Sequence, residues 1–237
     1  MIVTDLMKLE ENEFRRMASR PQYKNLIQKK LRFLAAASSK GCRITGAYYL
    51  INGEEKGSRP EVIREFMQLT REEWFEYRTK ESVRLINREQ LQNELQNIKE
   101  AEAVIVRGFR PAECCGQVWY TADRHLFIEA YKGGYPGVLE ALEIPTFYVA
   151  DISGRVDSKQ ENVFSKYYAF DGTVGAWSFH TCADEKVALE DRQIKEICEM
   201  LRMIDPERLG MKVAWGIWQD ALSVYDLYLP IGVGILE

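Results

Sequence analysis

The stretch Val104–Asp123, VIVRGFRPAECCGQVWYTAD, decides how the rest of the chain is read. Val104, Ile105 and Val106 form a β-branched run that suits a buried strand. Gly108, Pro111, Cys114, Cys115 and Gly116 break it. Gln117–Thr121 then alternates, with Val118 and Tyr120 on one face and Trp119 and Thr121 on the other. A further strand, His125–Ala130, follows, and Lys132-Gly133-Gly134 closes the region. The spacing predicts one antiparallel meander over Val104–Tyr131, with one wall facing a cavity or a core.

Upstream, residues 1–40 read as helical. Leu6, Leu9, Phe14 and Met17 recur at helix-like spacing, and Pro21 interrupts them. Tyr23, Leu26, Ile27, Leu31 and Leu34 mark a second amphipathic helix that ends at Gly41. Arg43–Asn52 predicts a strand with a bulge at Gly46, and Lys56-Gly57-Ser58 a turn. A helix follows from Pro60 through Leu69. Thr70 and Glu73 have capping-box spacing, which predicts another helix carrying Trp74, Phe75 and Tyr77. Val83–Ile86 suits a short strand, and Arg88–Glu100 a polar helix with Leu91, Leu95 and Ile98 on one face.

Downstream, Gly133–Glu143 predicts a short helix and Pro145–Ala150 a strand. Asp151–Arg155 is a turn, and Asp157–Asn162 is expected to be exposed. Strands are expected at Val163–Phe170 and Trp177–His180, around an Asp171-Gly172 turn. Leu189, Ile194, Ile197, Cys198, Leu201 and Ile204 share one helix face. Lys212–Trp218 and Ser223–Leu229 predict a terminal hairpin.

The 237 residues suffice for one large domain or two small ones, and the division predicted is 1–102 and 103–237. A net charge of −4 gives no basic field, which argues against nucleic acid as the main partner. No apolar run approaches the roughly 20 residues of a membrane span. The early acids of MIVTDLMKLEENEF do not suit a signal segment, so the expected location is cytoplasmic. Five irregularly spaced cysteines fit reduced thiols, and the adjacent Cys114 and Cys115 are read as small hydrophobes at a turn. Trp74, Phe75, Tyr77 and the tail Ile231–Leu236 leave homo-oligomer formation open beside core packing.

From Val104 to about Pro230 the chain resembles the second half of the nucleotide-binding domain of phosphoenolpyruvate synthase and pyruvate phosphate dikinase, an ATP-grasp fold. There, a strand of the form VIVQ precedes a loop like VPAEVSG and a strand ending in TADP; VIVRGFRPAECCGQVWYTADR is similar, with one extra residue near Gln117 read as a bulge. The order continues through Ile128-Glu129-Ala130, Gly133, Pro145, Tyr148-Val149-Ala150-Asp151, Gly154, Lys166 and Leu189-Glu190-Asp191-Arg192-Gln193-Ile194. Its terminal hairpin is similar to Val213–Gly216 with Tyr225–Leu227. Residues 1–100 match poorly.

The resemblance implies an α+β, ATP-grasp-like fold of antiparallel sheets with flanking helices. It implies ATP and Mg as cofactors, and a nucleotide or another phosphorylated small molecule as partner. The candidate cofactor-binding residues are Arg107, Glu129, Lys166 and Lys212; no catalytic residue and no metal ligand is named. Phosphoryl transfer is mostly positioning and charge neutralisation. At the resembling positions, however, the family's acid-x-Glu metal pair falls on Lys212 and Ala214, a contributing glutamine falls near Tyr228, and the turn acid is lost at Gly133–Pro136. Lys212 is read either as a surrogate charge beside phosphate or as a surface lysine. Arg107 is read either as a ligand contact or as an ion pair with Glu102 or Glu113. Lys132-Gly133-Gly134 is either a phosphate cradle or a plain turn. Asp123 and Asp226 are the other strand-edge acids, with Asp226 an alternative metal site, and His125 and His180 are read as structural. Two functions follow: a nucleotide-binding protein, enzymatic turnover left open, related to phosphoenolpyruvate synthase and acting as an ATP-dependent phosphotransferase or kinase with an altered site; or an inactive ATP-grasp-like binding or assembly partner.

Overall fold

The computed structural model describes residues 1–23, 26–54, 58–134, 144–207 and 209–228. The chain divides into two units, Met1–Ser39 with Thr45–Arg110, and Lys40–Ile44 with Pro111–Glu237. The cut falls inside the stretch read as one meander. Strand β5 (Ala103–Phe109) belongs to the first unit. Its two edges are taken by β2 (Tyr48–Asn52) and β3 (Trp74–Arg78), so no edge is left for the segment that follows. Pro111 has no N–H to extend the ladder. The expected single meander is therefore two strand systems, split at Arg110-Pro111.

The first unit holds a five-stranded antiparallel sheet. With β1 (Ile2–Asp5) and β4 (Val83–Asn87) its order is β1-β2-β5-β3-β4. Helices α1 (Glu11–Ala18), α2 (Lys29–Ser39), α3 (Arg59–Leu69) and α4 (Arg88–Asn97) complete it. Alternation sorts the strands into two faces. Ile51, Phe75, Tyr77, Ile86, Val104 and Val106 pack with Ile63 and Phe66 of α3 and Leu91 and Leu95 of α4 in one core.

Two helical expectations fail here. Thr70 ends a helix instead of starting one: its N–H and hydroxyl both reach the Phe66 carbonyl. Trp74, Phe75 and Tyr77 then enter β3, where burial alternates and the aromatics suit a pleated face. Phe75 and Tyr77 are thus core and not interface. Ile2–Asp5, expected as the start of a helix, is the edge strand β1, consistent with its β-branched Ile2, Val3 and Thr4. Gly46 is no bulge. It adopts a left-handed conformation ahead of β2, where any Cβ would meet the Gly108 carbonyl oxygen at 2.2 Å.

The second unit holds β6 (Cys114–Tyr120), β7 (Leu126–Lys132), β8 (Thr146–Ala150), β9 (Val156–Gln160), β12 (Lys212–Trp218) and β13 (Ala221–Tyr228), antiparallel in the order β13-β12-β6-β7-β8-β9. The exposed stretch after Arg155 supplies the edge strand β9; its polar residues hid it from the alternation test. Helix α5 (Asp191–Ile204) buries Ile194, Ile197, Cys198, Leu201 and Ile204 and packs against β6 and β13. Buried Asp205 closes the chain after it, accepting from the N–H groups of Leu209, Gly210 and Met211. Val118, Ile128, Tyr148, Val213 and Trp215 occupy the buried face of the sheet. Strands β10 (Val163–Asp171) and β11 (Ala176–Lys186) form a separate two-stranded ribbon. The helix expected over Gly133–Glu143 lies mostly outside the described residues, as do the Lys56-Gly57 part of the expected turn and the apolar tail.

Candidate functional site

The second face of the six-stranded sheet carries the polar chemistry. Pairing runs without a shift through Gln117, so the expected bulge there is absent. The register shift lies between Ala214 and Trp215 on the β12–β13 pair instead. Direct partners then define two adjacent rows. One runs Asp226, Ala214, Gln117, Glu129, Phe147 across β13, β12, β6, β7 and β8. The other runs Tyr228 and Lys212 on β13 and β12, then Trp119, Phe127 and Val149 on β6, β7 and β8, its two parts joined by carrying the Val213–Val118 register one residue on. Gln117, Trp119, Phe127, Glu129, Phe147 and Asp226 are all half-buried, Lys212 is exposed and Ala214 is buried.

Three rings brace this face. Trp119 lies 4.8 Å from Phe127 and Phe127 lies 5.3 Å from Phe147, both pairs tilted. The Lys212 ammonium sits over the Trp119 ring, 4.4 Å from its centroid. Glu129 lies one row away. Burial pushes its carboxyl above the ordinary carboxylate value, and the positive charge of Lys212 partly offsets that. An acid that is reluctant to ionise and a lysine that favours its ionisation share one sheet face. Asp226 stands three strands from Glu129, about 14 Å at ordinary strand spacing. Its carboxylate accepts from the Leu227 N–H at 2.8 Å. Among the described residues, no three of His, Cys, Asp and Glu gather as a metal-binding group.

Of the four sequence-derived candidates, Glu129 and Lys212 share this face. Lys166 lies on β10, its ammonium 5.2 Å from the Phe179 ring centre. Arg107 lies in the first unit, with its side chain only 8% exposed. It donates to Tyr48 at 2.7 Å and to Glu76 at 2.5 Å, so its ion-pair partner is neither Glu102 nor Glu113.

Lys132-Gly133-Gly134 closes β7 and seats the ribbon, Lys132 being the last residue of the strand and Gly133 bridging to Tyr168. Gly133 has φ 81°; its N–H donates to the Glu113 carbonyl, and that of Gly134 to the Tyr168 carbonyl. Both donors that a phosphate would need are spent within the fold. His125 lies 3.5 Å from Asp157, and His180 stacks on Tyr167. Gln117, Trp119, Phe127 and Phe147 were not among the sequence-derived site residues. The alternation that put Val118 and Tyr120 on one face placed Trp119 on the other, which was the available signal.

No family model matches the chain, and no curated protein matches it. Solved structures do share its arrangement in part. The ATP-grasp ligase PsnB, complexed with a phosphomimetic variant of its minimal precursor, Mg and ADP, is 10% identical with a TM-score of 0.43, over 84% of this chain and 49% of PsnB. The macrocyclase MdnC bound with precursor peptide MdnA, from Microcystis aeruginosa MRC, is 12% identical with a TM-score of 0.41, over 84% of this chain and 51% of MdnC. D-alanine–D-alanine ligase from Bacillus anthracis is 6% identical with a TM-score of 0.40, over 85% of this chain and 55% of the ligase. The chain spans about half the length of these proteins. No helix among the described residues is long and apolar enough to cross a membrane.

Proposed function

We propose that this is an ATP-grasp-like, nucleotide-binding protein, and that the half-open face of its six-stranded sheet takes ATP with Mg2+. The supporting observation is the pairing register, which places Lys212 and Glu129 on one face around the Trp119 ring. Lys212 is a compact charge suited to phosphate oxygens. Mg2+ at nucleotide sites is commonly held by one or two carboxylates plus the phosphates themselves. Glu129 fits that minimal protein share, with Gln117 beside it as a neutral donor or acceptor. Asp226 is too far away to bind the same ion. When bound, the ion would neutralise phosphate charge; the chain's own part is to hold the phosphates at Lys212 and present one carboxylate at Glu129.

The finer reading, phosphoryl transfer in the manner of phosphoenolpyruvate synthase, rests on the sequence resemblance alone. A second reading, binding without turnover in an assembly partner, is favoured by Lys212 and Ala214 standing where that resemblance expects metal-holding acids. Calorimetric titration of the full chain with ATP and Mg2+ tests the common part. The expected result is binding that weakens about tenfold or more in Lys212→Met, the loss of one charge-assisted contact. No heat and no thermal shift at millimolar ATP would remove the proposal. Phosphate release measured on the same samples separates turnover from binding alone.

A further inference from the structure

We infer that Trp119 is the positioning residue of this face: its indole ring fixes the Lys212 ammonium where an anionic ligand meets it. The inference rests on the nucleotide reading for the ligand, but its geometric half stands on the sheet alone. Lys212 begins its strand and is exposed, and its four-carbon stem is intrinsically flexible. What holds it is the Trp119 ring of β6, one residue beyond the Val118–Val213 pair. The ammonium at 4.4 Å from the indole centroid is well inside cation–π range, and tryptophan is the strongest ring partner for a cation.

The ring is itself immobilised. Trp119 leans on Phe127, its direct partner on β7, and Phe127 leans on Phe147 of β8. A lysine parked on a braced ring loses less rotamer freedom on binding than a solvated one, and pre-paid ordering is a source of affinity. It also keeps the ammonium near Glu129 without a direct ion pair, so the positive charge stays available to a ligand. Trp119 touches the lysine and acts on the ligand through it.

The test uses the full chain with 13C-labelled lysine, the Lys212 signal being assigned by its loss in Lys212→Arg. Ring currents from the indole place the Lys212 ε-methylene signal upfield of the other lysines. That upfield position should shrink in Trp119→Phe and vanish in Trp119→Leu. Affinity for ATP with Mg2+ should fall in the same order, by up to about tenfold, the scale of a partly desolvated cation–π contact. Should Trp119→Leu fail to fold, Trp119→Phe and Trp119→Tyr carry the comparison. An upfield signal that ATP moves, with affinity unchanged in Trp119→Leu, overturns the positioning role and leaves nucleotide binding standing. An upfield signal that millimolar ATP does not move overturns the nucleotide reading, and this inference with it. A Lys212 signal at the ordinary lysine position overturns the geometry itself.

Discussion

Arg59, the first residue of α3, donates to the last carbonyls of α4, and Arg88, the first residue of α4, donates to the last carbonyls of α3. Arg59 reaches the Ile98 carbonyl at 2.6 Å and that of Gln96 at 3.2 Å. Arg88 reaches Thr70 at 2.9 Å and Glu72 at 3.0 Å, and it also donates to Met67. The final carbonyls of a helix have no partner within it, so each guanidinium satisfies acceptors that would otherwise need water. The pair also fixes α3 and α4 as antiparallel neighbours over the core of the first unit. Arg88→Ala should therefore destabilise that unit by about 1–3 kcal/mol, the cost of leaving partly buried acceptors unmet. Arg88→Lys should recover only part of it, because an ammonium cannot fork to three carbonyls. Urea unfolding followed by circular dichroism measures both, and equal stability of the alanine variant would refute the reciprocal cap.

Glu76 of β3 and Arg107 of β5 form a buried ion pair. Their side chains are 15% and 8% exposed, and Arg78 adds a contact to the same carboxylate at 3.1 Å. Burial pushes the Glu76 carboxyl up, but Arg107 and Arg78 outweigh it and hold it below the ordinary value. A depressed carboxyl contributes stability above its unfolded value, and that contribution is lost as pH falls through the folded one. Glu76→Ala should cost about 3–5 kcal/mol at neutral pH by removing the carboxylate that pairs with a buried guanidinium. The difference from wild type should shrink in acid, where Glu76 is protonated in both folded and unfolded chains. A gap that stays constant down to acid would mean that packing, not charge, explains the loss.

How much of this was legible in the sequence depends on what each signal measures. The helix over Asp191–Ile204 and the hairpin of β12 and β13 were readable because period and turn chemistry agree; Gln219 and Asp220 both take the left-handed conformation such a tight hairpin requires. The break at Arg110-Pro111 was visible as a turn, but nothing local says that both edges of β5 are already occupied. Strand β9 was missed because an exposed edge strand has no apolar face to alternate. On the candidate face, Glu129 and Lys212 were each legible as candidates, while Trp119 joins them only once the register of β12 against β6 is known. Arg107 was picked as a site residue because it stands where the VIVQ strand of the resembling family ends. Its partners, Tyr48 and Glu76, lie on strands that sequence distance hides.

Glu129 gives a prediction of opposite sign to Glu76. Its folded carboxyl sits above the ordinary value because it is partly buried. The protonated form is favoured by folding, and that advantage is present below the unfolded value and lost as pH rises through the folded one. At neutral pH the ionised carboxylate is a local liability, screened by solvent because the residue is only half-buried. Glu129→Gln should raise the melting temperature at neutral pH by on the order of 1–2 °C, with the gain fading in acid. The same variant should bind ATP with Mg2+ more weakly, the trade expected where a residue is kept for function at some expense of stability. Differential scanning calorimetry across pH decides it; a variant less stable than wild type at neutral pH would show that Glu129 serves the fold.

The glycines at the end of β7 separate a seat for the ribbon from a seat for phosphate. A Cβ on Gly133 would lie 2.3 Å from the Tyr168 carbonyl oxygen, in a left-handed backbone that already disfavours a side chain. A Cβ on Gly134 would lie 2.1 Å from the Trp177 ring. Lys132 adds an ion pair to Glu185 and a contact 4.8 Å from the Tyr167 ring centre, so this short segment ties β10 and β11 to the sheet. A two-stranded ribbon is marginal by itself and depends on such ties. Gly134→Ala should loosen it, seen as lost near-ultraviolet dichroism from Trp177 and faster proteolysis within β10 and β11. Gly133→Ala should do so more strongly, since it combines strain with collision, at a cost of about 1–3 kcal/mol. Neither change should alter affinity for ATP with Mg2+ at the proposed Lys212 and Glu129 site by more than a few-fold, because those residues sit within β12 and β7 and not on the glycines beyond. Abolished nucleotide binding in a Gly133→Ala protein whose ribbon still resists proteolysis would move the phosphate site to these glycines.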